Sequence, residues 1–206
     1  NTDTGYMSKV RCVRDGRTAA QRVKLDGSGP CEGVASYTYA GHSYDLVEIG
    51  NDCWFAEDLQ ATVDSLATPL VKDTDYRYPN DDEALVEELG LIYTWDVGMK
   101  SCPSGWHMAS DNEWSAAEVE HGMSEHDAYN VMGWRGTAEN IGLKLRDGSF
   151  SVYGAGDSSE KEYLGTNEFG MSMRTMYGSY DSGTNYTNQA TARWWTSSRN
   201  VVENPG

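Results

Sequence analysis

The chain has 206 residues, 38% apolar and 23% charged, with 22 glycines, 13 tyrosines and 7 tryptophans; this excludes disorder and long-helix architectures and fits one large turn-rich domain, with or without an appendage. The formal net charge is −16 and no Lys/Arg cluster is present, so the electrostatic footprint of nucleic-acid binding is missing. Solubility outside a cell ranks above calcium coordination as the reason for this acidity, so no cofactor is expected and structural calcium is the weaker alternative.

The first predicted element is a strand in GYMSKVRCVRDG, residues 5–16, where Met7, Lys9, Arg11 and Val13 alternate with Ser8, Val10, Cys12 and Arg14. The polar, Gly-rich run from Asp15 to Pro30 reads as a tether with at most one short strand, near Val23 and Leu25. Two β-prone runs, Tyr37 to Tyr39 and Tyr44 to Ile49, joined through Ala40, Gly41 and His42, predict a hairpin. In that turn His42 reads as a solvated residue. Asn80 to Gly90 predicts a short helix, acidic at its start and stopped by glycine.

Ser110 and Glu113 have capping-box spacing ahead of Trp114, Ala117 and Val119, which predicts a helix over 110–121. Beyond Gly122 a mosaic of Gly, Ser, Asn and Asp with embedded aromatics predicts short strands and long ordered loops rather than helices. Met171, Met173 and Met176 read as core fillers there. Cys12, Cys31, Cys53 and Cys102 have no CxxC spacing, which argues against zinc or thioredoxin-type chemistry and favours two disulfides in an oxidising compartment over buried free thiols. No apolar run approaches the ~20 residues of a membrane span, and the start at Asn1 points to a removed leader or upstream segment.

Four stretches, YDLVEIGNDCWFAEDL, LIYTWDVGMKSCPSGWHMASDNEW, GTNEFGMSMRTMYGSY and ARWWTSS, together resemble the Fibrobacter succinogenes major paralogous domain from about Tyr37 to Ser198. The resemblance implies a secreted bacterial domain of α+β class, related to C-type-lectin-like and formylglycine-generating-enzyme-like folds, with short-strand sheets, one or two helices and long ordered loops. It also implies that Cys102 pairs with the cysteine of a final strand, matched by Cys12, which leaves Cys31 with Cys53. Members of that family typically end on a strand close to G-x-S-V-R-C-V-R-D. Here the matching segment lies at the amino terminus, and the chain runs TSSRNVVENPG after Trp195.

The expected organisation is therefore residues 1–30 as a strand (about 5–14) plus tether, and residues 31–206 as a lectin-like domain lacking its final strand. A sheet edge left open is a template for another chain, and a donated strand completes it through main-chain hydrogen bonds and side-chain pockets. Three readings compete: the arm folds back on its own domain, it is a remnant of a preceding tandem domain, or it completes a neighbouring copy. The third is preferred, with Tyr6, Met7, Val10, Arg11, Cys12 and Val13 as the assembly strand and the chain itself as head-to-tail partner. Cys12–Cys102 would then be a bond between subunits.

His107, with Asp111 and Glu113 nearby in sequence, is the most tempting catalytic group, yet no nucleophile recurs with a base and an orienter, so no catalytic residue is expected. His121 and His126 read as solvent-facing, and no spacing motif for a metal is present. Neither the cysteine pair of the formylglycine-generating relatives nor the Glu-Pro-Asn and Trp-Asn-Asp calcium motifs of related lectins occurs. Tyr177, Tyr180, Tyr186, Trp194 and Trp195 form a candidate binding face for a glycan or protein, although packing explains most of them as well. The leading expectation is an extracellular structural subunit at a bacterial surface; the alternative is a secreted adhesion module, and an enzyme ranks third.

Overall fold

The computed structural model describes residues 6–16, 29–130, 135–147, 151–153, 160–162, 165–174, 180–181, 184–185 and 193–199. The chain is mixed α+β. Its centre is a five-stranded antiparallel sheet built from β2 (Cys12–Asp15), β3 (Ser36–Tyr39), β4 (His42–Ile49), β5 (Asp52–Phe55) and β8 (His107–Met108), in the order β3-β4-β5-β2-β8. Smaller antiparallel sheets pair β6 (Tyr76–Arg77) with β7 (Ile92–Tyr93), β9 (Ser151–Tyr153) with β10 (Glu160–Glu162), and β1 (Tyr6–Met7) with β11 (Tyr180–Asp181) and β12 (Thr184–Asn185).

Local chemistry explains the clearest elements. β3 and β4 form the predicted hairpin around Ala40 (φ 51°) and Gly41 (φ 86°), two positive-φ positions that match a tight turn to the strand twist. His42 belongs to β4 rather than to the turn and is half-buried rather than free in solvent: its Nε2 lies 2.8 Å from Glu57 and its ring packs edge-on against Tyr44. The helix Asp111–Glu120 starts from Ser110, whose hydroxyl accepts from the Glu113 amide while the Glu113 carboxylate accepts from the Ser110 amide.

In chain order the helices are α1 (Val86–Leu89), α2 (Trp95–Ser101), α3 (Asp111–Glu120), α4 (Glu125–Ala128) and α5 (Ile141–Leu145). The single helix expected over 80–90 is two 3₁₀ turns, Pro79–Asp81 and Glu83–Leu85, followed by α1. Asn80 at φ 53° breaks the first turn, and the Asp82 side chain restarts the chain by accepting from Ala84. Helices α4 and α5 lie where only strands and loops were expected; Ser124 caps α4.

The two faces of the central sheet bury different cores. One packs Cys12, Cys53, Phe55 and Met108 with Val10, Tyr44, Tyr93 and Trp106, and Tyr44 stacks on Phe55 at 4.4 Å. The other packs Val13, Ile49 and Trp54 against Ala109 and Ala117, with Met171 and Met173 filling as expected. Met176 lies outside the described residues. Among the described residues no helix is long and apolar enough to cross a membrane.

Candidate functional site: the groove filled by the amino-terminal strand

Alternating residues of an edge strand would leave one side wet. Instead every residue from Met7 to Val13 is buried, because the segment runs through the middle of the molecule, with β2 between β5 and β8. Backbone hydrogen bonds run along it on both sides, as burial demands. Ser8 exchanges hydrogen bonds with Tyr93 at 3.0 and 2.9 Å, Lys9 accepts from Trp195, Val10 from Leu59 and Arg11 from Ala109. Val13 then pairs with both Trp54 and His107. The predicted single strand is thus two, β1 and β2, because residues 8–11 bond to four separate segments rather than to one partner strand.

Two cations of this segment, Lys9 and Arg11, are fully buried against one anion, Asp58. Asp58 Oδ2 accepts from Lys9 Nζ at 2.8 Å; Oδ1 accepts from Arg11 Nε at 3.0 Å, Arg11 Nη2 at 2.7 Å and Trp194 Nε1 at 2.7 Å. The remaining donors reach carbonyls: Arg11 Nη1 donates to Phe55 and Met171, and Lys9 Nζ to Arg174. Burial works against the Asp58 carboxylate, but Arg11 and Lys9 outweigh it and hold its pKa below the ordinary range. Gly90, at φ 70°, passes so close that a Cβ there would sit 2.6 Å from Asp58 Cβ.

Apolar anchors complete the groove. Val10 rests against Gly98 of α2, where an added Cβ would lie 2.9 Å from Val10 Cγ2. Cys12 is bonded to Cys102 at the end of α2, and Cys31 to Cys53 in β5, both within this one chain. These are the pairings that the resemblance implies. They also match the chemistry of an oxidising, extracytoplasmic compartment.

The family model described as Fibrobacter succinogenes major domain matches residues 47–205. The chain belongs to this family. Neither a curated protein nor a solved structure matches it. The span matched to the Fibrobacter succinogenes major domain contains the walls of the groove, Asp58, Tyr93, Cys102, His107 and Trp194, and not the strand that fills it.

Of the candidate binding face in this family member, Trp194 and Trp195 pack on opposite sides, one with each core. Their indole N–H groups donate to Asp58 and to the Tyr93 carbonyl, so both are groove walls. Tyr180 lies in β11, whose backbone pairs with Met7; Tyr177 and Tyr186 lie outside the described residues, as does the tether at 17–28. Tyr6 is exposed at the start of the strand, whereas Met7, Val10, Arg11, Cys12 and Val13 are buried in it. Lys9 and Asp58 escaped sequence reasoning, although two cations two residues apart on one face of a strand with apolar neighbours call for a buried acid.

The histidines divide. His126 is exposed. His121 is buried rather than solvent-facing, because Phe169 stacks on it with ring centres 3.3 Å apart. Among the described residues its Nε2 has no hydrogen-bond partner, and burial, with Lys144 nearby, lowers its pKa to about 4. His107 Nε2 donates to the Glu113 carboxylate at 2.6 Å, and that hydrogen bond, against the cost of burial, raises the His107 pKa.

Proposed function

We propose that the chain is an extracellular structural subunit, at a bacterial surface, that assembles head to tail by placing its amino-terminal strand in the groove of the next copy. The arrangement of the strand carries this reading. Its side-chain and disulfide partners, Asp58, Cys102, Met171 and Trp194, all lie beyond residues 17–28, so a second copy offers the same set unchanged. Strand addition of this kind takes affinity from main-chain bonds and register from the pockets, and here a buried ion cluster fixes the register as well. Filling from the same copy is the unassembled form, and a head-to-tail exchange that does not close on itself gives a filament.

The role is structural rather than catalytic in this proposal. The adhesion alternative loses Trp194 and Trp195, whose indole N–H groups are bonded inside the groove. Non-reducing electrophoresis of the full chain, before and after a cycle of reduction and reoxidation at high protein concentration, tests the reading. A ladder that collapses on reduction is expected, because Cys12–Cys102 would join copies. A chain that remains monomeric with both disulfides internal, and that forms no mixed dimer between two differently tagged copies, overturns it.

A further inference from the structure

The far end of the inserted strand carries a second ionic cluster of a different kind. Asp15 closes β2, Asp52 opens β5 directly opposite it, His107 opens β8, and Glu113 lies in the first turn of α3. One ligand atom from each of Asp15, His107 and Glu113 lies within 4.8 Å of the others. His107 and Glu113 lie six residues apart, but Asp15 reaches them only through the pairing of β2 with β8, so no spacing motif announces the three together. We infer that Asp15, His107 and Glu113, with Asp52 beside them, form a binding site for a divalent transition-metal ion of the zinc type.

The donor chemistry is one imidazole nitrogen with carboxylate oxygens, a set that suits zinc, whereas calcium takes oxygen ligands. Ligands held at about 2.0–2.2 Å from a tetrahedral ion sit apart from one another by less than the span of this cluster. Glu113 is already oriented: Oε2 accepts from the Ser110 amide and hydroxyl, each at 2.6 Å, which leaves Oε1 turned to His107 Nε2. Such outer hydrogen bonds are what aim metal ligands.

Charge gives an independent reason. The capping box and the His107–Glu113 pair would be complete without Asp15 and Asp52, yet these two carboxylates face each other across the β2–β5 ladder in the same cluster. Three carboxylates around one imidazole are a crowded anionic site that a divalent cation relieves. The site ties β2 to β8 and α3 whichever copy supplies the strand, so it does not depend on the assembly reading.

The test uses the full chain stripped with a chelator, then equilibrium dialysis against Zn²⁺ and visible absorption with Co²⁺ as a coordination probe. Expected are one zinc per chain, a four-coordinate Co²⁺ spectrum abolished by zinc, and affinity at least about tenfold lower in His107→Gln and in Asp15→Asn. Should His107→Gln fail to fold, Asp15→Asn, at an exposed position, carries the comparison. Absence of zinc binding, equal binding by wild type and the folded variants, or displacement of zinc by equimolar Ca²⁺ overturns the inference.

Discussion

One short strand carries two charge clusters, and they differ in almost every respect. At Lys9, Arg11 and Asp58 the cations outnumber the anion, all three are buried, and the donors are bonded to Asp58 and to main-chain carbonyls. At Asp15, Asp52, His107 and Glu113 the anions dominate, Asp15 is exposed, and the carboxylates crowd one another. A buried cluster whose groups are mutually satisfied specifies which strand enters and in what register. An open anionic one has capacity left for something else.

Cutting the covalent pin between them is the severest test of the contrast. Cys12–Cys102 spans 90 positions, and replacing both cysteines by serine should lower stability by about 4.5 kcal/mol on chain-entropy grounds, read from urea unfolding midpoints. If the dry cluster holds the strand, Met7 to Val13 should remain protected in hydrogen exchange in that variant. Next in size is Asp58→Asn, isosteric but neutral, which strands two buried cations and should cost about 3–5 kcal/mol. A loss below 1 kcal/mol would mean the cluster is wetter than its geometry.

The wall of the groove should answer less strongly. Gly98→Ala places a methyl 2.9 Å from Val10 and 3.3 Å from Met108 Sδ, an overpacking of about 2 kcal/mol. A buried group without a partner gives the pH contrast to Asp58. The folded pKa of His121, about 4, lies below the ordinary value near 6.5, so below pH 6.5 the unfolded chain binds a proton that the folded one refuses. Stability is then lost between pH 6.5 and about 4, on the order of 1 kcal/mol once solvent screening is allowed for. His121→Phe should flatten that slope. Asp58, held below the usual carboxylate range, keeps its contribution above pH 3.9 and loses it only as pH falls through its lower folded value.

These contrasts also mark what the sequence could disclose. The Ala40–Gly41 hairpin and the Ser110–Glu113 helix start were legible because each signal is complete within a few residues. The place of residues 6–15 was not, since alternation reads the same for an edge strand as for a central one, and only distant partners such as Asp58 and Tyr93 decide between them. His121 looked wet at a helix end until Phe169 covered it. Asp15's place beside His107 and Glu113 was invisible for a related reason: the latter two are neighbours in sequence, but only the pairing of β2 with β8 brings Asp15 to them. Local chemistry wrote the elements, and long-range pairing set their depth.

The smallest predicted effect sharpens the opening contrast most, because it repeats the same chemical change at the other end of the strand. Asp15→Asn, measured in chelator, should alter stability by less than about 0.5 kcal/mol in either direction. Asp15 is exposed, so its interactions with His107 and with the neighbouring carboxylates are screened by water and partly cancel. Both substitutions remove one negative charge and keep the shape of the side chain, so the difference between Asp58→Asn and Asp15→Asn isolates solvation. Raising the salt concentration should erase the Asp15 effect and leave the Asp58 effect standing. If the two losses were equal, the wet cluster would be as closed as the dry one and would have no room for an ion.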